Sequence, residues 1–176
     1  MDPLLTTVQR VDLFDEDLAR TAGEREVLEA FLDAHRRVTV DKLRGLSEAD
    51  ARRRLVPSLT TPIGLVNHLA GVERNWFQHS IAQRPRQEIA GDARGGEDSW
   101  TVADHVTIDD VIAAFEEACA ESRRIAADLP LDHVVPHERL REVSLRWVYV
   151  HMIREHARHG GHADILREQI DGATGA

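Results

Sequence analysis

Leu145, Val148, Met152, Glu155, His159, His162, Leu166 and Ile170 follow one another at steps of three or four residues, and an α-helix places such a series on one face. Five of the eight are apolar and three are ionisable. The apolar members require burial against other elements. A carboxylate and two imidazoles at the same depth cost several kcal/mol unless each finds a partner. The chain is therefore expected to be a packed helical assembly with something polar built into its interior. Ser144 is suited to cap the start of this helix and Gly172 its end.

The rest of the chain supplies the neighbours. Between Glu24 and Leu43, apolar side chains at Val27, Leu28, Phe31, Leu32, Val38 and Leu43 return mostly at three- and four-residue intervals, which predicts a first long helix. Gly45 ends it, and Ser47 caps a short helix through "SEAD". Thr61 followed by Pro62 starts a second long helix reaching about Gln83, with Leu65, Leu69, Val72 and Trp76 on its apolar face. Thr107 and Asp110 form a capping pair for a third, Ile108 to Asp128, that buries Val111, Ile112, Phe115, Cys119 and Ile125. Residues 84–106, "RPRQEIAGDARGGEDSWTVADHV", make too long a connection to be routine, and Trp100 within them suggests a loop that covers something. With no strand alternation, the expected fold is an all-α four-helix bundle with a short extra helix and a long loop between the second and third long helices. We divide the chain into an N-terminal segment, 1–22, a bundle domain, 23–172, and a tail, 173–176.

Several function classes are excluded or left without support. The formal charge of −9 opposes nonspecific nucleic-acid binding. No stretch approaches the roughly 18 apolar residues of a membrane span, and the acidic first residues are unlike a secretory leader, so a cytoplasmic location is expected. Cys119 is the only cysteine, which leaves no disulfide within one chain and reads as a small buried residue. The HExxH and HxxEH orders both fail around Glu155, and GxSxG, the P-loop and GxGxxG are absent.

Glu155 and His159 lie one helical turn apart and can aim at a common point. A divalent metal would remove the cost of burying them, and a third ligand is expected from another helix, with His68 on the second long helix as the candidate. His151, a turn before Glu155, borders this face as a supporting or alternate ligand, and His156 is expected to point away and be exposed. Arg158 and Arg74 are candidates to hold an anionic substrate or thiol.

In three segments, "GLSEADARRRLVPS", "TTPIGLVNHLAGVERNWF" and "VSLRWVYVHMIREHARHGGHADILREQIDG", the chain resembles the DinB/YfiT-like metalloenzyme superfamily. The resemblance implies a four-helix bundle with a metal, zinc or nickel, held by His68, Glu155 and His159. Many relatives carry histidine where this chain has Glu155; mycothiol-dependent maleylpyruvate isomerase is similar in pairing Glu with His. His162 falls where relatives often carry glutamine, which implies a catalytic or substrate-contacting role, alongside Arg158. Arg74 and Trp76 are assigned to cofactor binding. The resemblance further implies a low-molecular-weight thiol such as mycothiol, a small-molecule substrate, and an S-transferase or isomerase acting through an open metal position. Hydrolysis by metal-bound hydroxide, a non-catalytic metal- or ligand-binding stress module, and a homodimerisation platform are the competing expectations.

Overall fold

The computed structural model describes residues 15–174; most of the N-terminal segment and the end of the tail lie outside the described residues. The elements in chain order are α1 (Asp15–Leu18), α2 (Glu24–Asp41), α3 (Glu48–Ala51), α4 (Pro62–Glu73), α5 (Ile108–Ala126), β1 (Val134–His137), β2 (Arg141–Ser144) and α6 (Leu145–Asp171). α4 runs directly into a π-helix, Arg74–Ile81, and two 3₁₀ turns, Arg86–Glu88 and Glu97–Trp100, shape the loop that follows. α2 lies along α6, and α4 lies along α5 and also against α6. Among the described residues the fold is all-α apart from one small antiparallel hairpin.

The helix starts follow from their caps. Thr61 Oγ1 accepts from the Gly64 amide at 3.1 Å, and Pro62 needs no partner for an N–H it lacks. Thr107 Oγ1 accepts from the Asp110 amide, while Asp110 accepts in return from the Thr107 amide at 2.9 Å. Ser144 Oγ accepts from the Trp147 amide, and Gly172 ends α6 at φ 78°, a left-handed value that favours glycine.

Three expectations are corrected. Residues 134–144 form a hairpin, pairing Val135 with Val143, because these two valines reach the core while their strand neighbours stay outside. Strands of four residues are too short to reveal alternation. The second long helix does not stay α-helical to Gln83: it widens at Arg74, with the Ala82 amide donating to the Phe77 carbonyl five residues back. On α2, Phe31 and Val38 are 42% and 39% exposed, and the buried stripe runs instead through Leu32, Arg36, Thr39, Val40 and Leu43. A buried arginine in that stripe disguised it.

The apolar interior is divided. One cluster gathers Val40, Leu43, Leu65, Leu69, Phe115 and Ala163; the other gathers Leu32, Phe77, Ala126, Leu145, Val148 and Met152. Each fully buried Leu, Phe or Met contributes about 1.5–3 kcal/mol. Between the clusters lies a polar layer. Arg36, Glu73 and His156 occupy positions between apolar members on α2, at the end of α4 and on α6, and they meet one another. The Glu73 carboxylate takes two hydrogen bonds from Arg36, at 2.8 and 2.7 Å, and one from His156 Nε2 at 2.9 Å. His156 is therefore fully buried, not exposed as the sequence led us to expect.

Candidate functional site

The buried line of α6 is Leu145, Tyr149, Met152, His156, His159, Ala163 and Leu166, alternating steps of four and three. Its centre passes through His156 and His159. Glu155 stands at its edge, with 18% of its side chain exposed, and His162 is exposed. The face thus lies one position around the helix from the stripe read in the sequence, which explains both the burial of His156 and the exposure of His162.

His68 projects from α4 to meet this edge. Its ring and that of His159 lie edge to face with centroids 5.1 Å apart, and the Glu155 Oε1 atom is 3.8 Å from His159 Nε2. His68, Glu155 and His159, expected together from three turns on two helices, are brought together at one place. Among the described residues, no group of three or more His, Cys, Asp or Glu side chains is placed so that it could hold a metal ion as it stands.

The loop closes over the site. Trp100 stacks on His68 at 4.1 Å with planes 15° apart, and it also borders His159. Gly64 makes this approach feasible, because a Cβ there would collide with the Trp100 carbonyl oxygen. Asn67 Nδ2 donates to the Ser99 carbonyl at 2.8 Å, and Ser99 Oγ lies 2.8 Å from His68 Nδ1. The Ser99 hydroxyl hydrogen goes to the Gly96 carbonyl, so Ser99 Oγ accepts the Nδ1–H of His68. That fixes the His68 tautomer and leaves Nε2 with a free lone pair, the state a metal-ligating histidine needs.

The electrostatics agree. Burial lowers the pKa of His68 below the ordinary histidine value. Burial, reinforced by His68, lowers His159 to about 4. Both rings are neutral at pH 7 and able to donate a lone pair to a cation. Glu155 Oε2 and His159 Nδ1 are buried without a hydrogen-bond partner. A carboxylate and two neutral imidazoles are the donor types a divalent cation takes, and here the carboxylate faces the Arg154 guanidinium at 3.7 Å.

The remaining candidates separate. Arg158 and His162 are exposed on α6, with the His162 ring 5.5 Å from that of His159. Arg74 leaves the site: it donates to the Ala114 carbonyl of α5 and lines a cleft of about 450 Å³ between the π-helix and α5. Trp76 also stands apart, stacked on His137 and in contact with Trp147 and His151. Cys119 is buried, and burial raises its thiol pKa well above the ordinary value. Sequence reasoning missed Arg36, Glu73, His156 and Ser99. The regular four–three alternation through His156 was the signal available for one of them.

A mostly helical chain with a histidine from one helix facing a Glu–His pair on another is a protein of the DinB/YfiT-like class. Residues 27–172 match the family model described as Mycothiol-S-transferase, and the chain belongs to that family. No curated protein gives a match.

Proposed function

We propose that this chain is a mycothiol-dependent S-transferase whose reaction site is the edge of α6 beneath Trp100, with His68, Glu155 and His159 holding a divalent cation, zinc or nickel. The architecture is read as a DinB-type four-helix bundle over residues 23–172, working in the cytoplasm as a homodimer. The observation that carries the reading is the pair of buried atoms without a hydrogen bond, Glu155 Oε2, faced only by the Arg154 guanidinium at 3.7 Å, and His159 Nδ1, beside a His68 whose free nitrogen is set by Ser99. A cation bound there supplies a Lewis acid that lowers the pKa of a thiol at neutral pH.

The chain's own residues supply the rest. His162 accepts the thiol proton, and Arg158 orients an anionic acceptor substrate. The thiolate sulfur then forms a bond to the electrophilic carbon of the acceptor, and the leaving group departs with its electron pair. Trp100 and the Ser99–Gly96 turn exclude water from one side of His68.

The test is elemental analysis of the purified chain, followed by consumption of mycothiol with an electrophilic acceptor. About one metal per chain and thiol consumption that follows metal content are expected. Glu155→Ala and His159→Ala should lose the metal while retaining helical circular dichroism. Full thiol transfer by metal-free protein would overturn the reading. Size exclusion checks the dimer.

A further inference from the structure

Two tryptophans and two histidines are stacked on one side of the molecule, a short way along α6 from the site just described. Trp147 and His151 lie on α6, Trp76 on the π-helix and His137 at the end of β1. Trp147 stacks on His151 at 5.0 Å with planes 10° apart, and Trp76 stacks on His137 at 5.2 Å and 12°. The two pairs are inclined to each other, with Trp76 4.4 Å from His151 and 5.3 Å from Trp147. Trp147 is 41% exposed and the other three are half-buried, so the stack opens to solvent.

The hydrogen bonding of the stack is one-sided. His137 Nδ1 accepts from the amides of Arg139 and Leu140, both at 3.2 Å. His151 Nδ1 accepts from Arg154 at 3.0 Å, since a guanidinium has nothing but donors to offer. Burial lowers the pKa of both rings, so each is neutral near pH 7 and carries its hydrogen on Nε2. No described residue accepts from those two Nε2–H groups or from the indole N–H of Trp76 or Trp147. The nitrogens of Trp76, His137 and His151 are not buried orphans, and Trp147 is itself 41% exposed. Four N–H donors without acceptors therefore surround aromatic faces.

We propose that Trp76, Trp147, His137 and His151 form a binding platform for a hydroxylated saturated ring, a sugar or cyclitol. The C–H face of such a ring packs on an indole, and its oxygens accept from the surrounding N–H groups. An unsubstituted aromatic ring would leave the donors unsatisfied, and neither tryptophan nor neutral histidine offers the charge an anion would select. The position also suits the site. Trp147, His151 and Glu155 are spaced by four residues on α6, so the platform begins one turn from Glu155 and ends two turns away, about 6 and 12 Å along the axis. A thiol carried on a short arm from a sugar or cyclitol spans that interval. The π-helix contributes by widening the backbone where Trp76 leaves it; such turns occur frequently at functional sites.

The identity of the ring as part of mycothiol rests on the S-transferase reading, whereas the platform itself does not. The test uses the full chain with ¹⁵N-labelled tryptophan indoles, no added metal, and glucosaminyl-inositol, the thiol-free part of mycothiol, as probe. The indole resonances of Trp76 and Trp147 should shift while that of Trp100 stays in place, and W147A should raise the probe's Kd at least tenfold. W147F, which keeps a ring and the fold, should fall between the two. The proposal is overturned if the probe moves none of the resonances or Trp100 alone. It is equally overturned if benzyl alcohol or inorganic phosphate produces the same shifts at the same concentration, or if W147A binds as tightly as the parent. Because probe and conditions involve neither thiol nor metal, failure here removes the platform and leaves the transferase reading standing. Failure of metal loading does the reverse.

Discussion

Glu73 and His156 share a hydrogen bond of 2.9 Å, and neither side chain has any exposed surface. It is the hydrogen bond between side chains that joins α4 to α6 among the described residues, and Arg36 completes it from α2. Replacing Glu73 with Gln removes the buried counter-charge of Arg36 and leaves it only the part-exposed Asp33, 2.8 Å away. That should cost about 3–5 kcal/mol in urea unfolding. The triple variant Arg36→Met, Glu73→Leu, His156→Phe should cost less than Glu73→Gln alone, because it removes every buried charge together. A triple variant less stable than the single one would refute this account of the layer.

Stability should fall in two stages on acidification. Burial alone would raise the Glu73 pKa, but Arg36 and His156 outweigh it and hold the carboxyl far below the usual range. Below its ordinary value of 4.5 the unfolded chain takes up a proton there that the folded chain refuses, so stability drops. His35 acts in the same direction at higher pH: burial lowers its pKa from 6.5, so the unfolded state binds the extra proton below that value. Urea midpoints should be highest above pH 6.5, decline below it, and decline again below 4.5. A midpoint that rises between pH 6.5 and 4.5 would contradict these signs.

Gly161 lies inside α6, and a Cβ added there meets nothing within 4 Å. Gly161→Ala should therefore stabilise the chain by about 0.5–1 kcal/mol, chiefly by restricting the unfolded state. A raised thermal midpoint is the readout.

Gly64→Ala should act in the opposite direction. The new methyl group displaces the Trp100 backbone, and with it the Ser99 hydroxyl that orients His68. With His68 as a ligand, as proposed, loss of the group supporting it should weaken metal affinity about 10–100-fold. Metal titration of the variant should show this, together with changed Trp100 fluorescence as its ring leaves His68.

Cys119 should resist alkylation in the native chain. Its thiol is buried and held protonated by that burial. Mass spectrometry after a brief iodoacetamide pulse should find it unmodified until denaturant is added.

Most of the helices, their caps and the neighbouring of Glu155 and His159 one turn apart were legible from the chain alone. Thr61, Thr107, Ser144 and Gly172 act within a few residues of themselves, and one-turn spacing puts Glu155 beside His159 whatever surrounds them. The hairpin was not legible, since Val135 and Val143 are marked as strand only by the core they both enter. Nor was the polar layer: Arg36, Glu73 and His156 each look like a solvated surface residue when its own helix is read by itself.

Sequence by itself thus determined which segments are helical and which donors lie within reach of one another along a helix, because those relations are local and periodic. Tertiary structure decided the rotation of each helix about its axis, burying His156 and turning His162 outward. It also decided that Trp100 would cover His68 and that Trp76 would join Trp147. A helix of 3.6 residues per turn tolerates neighbouring choices of buried face with nearly equal apolar content, and the partners on other helices break the tie.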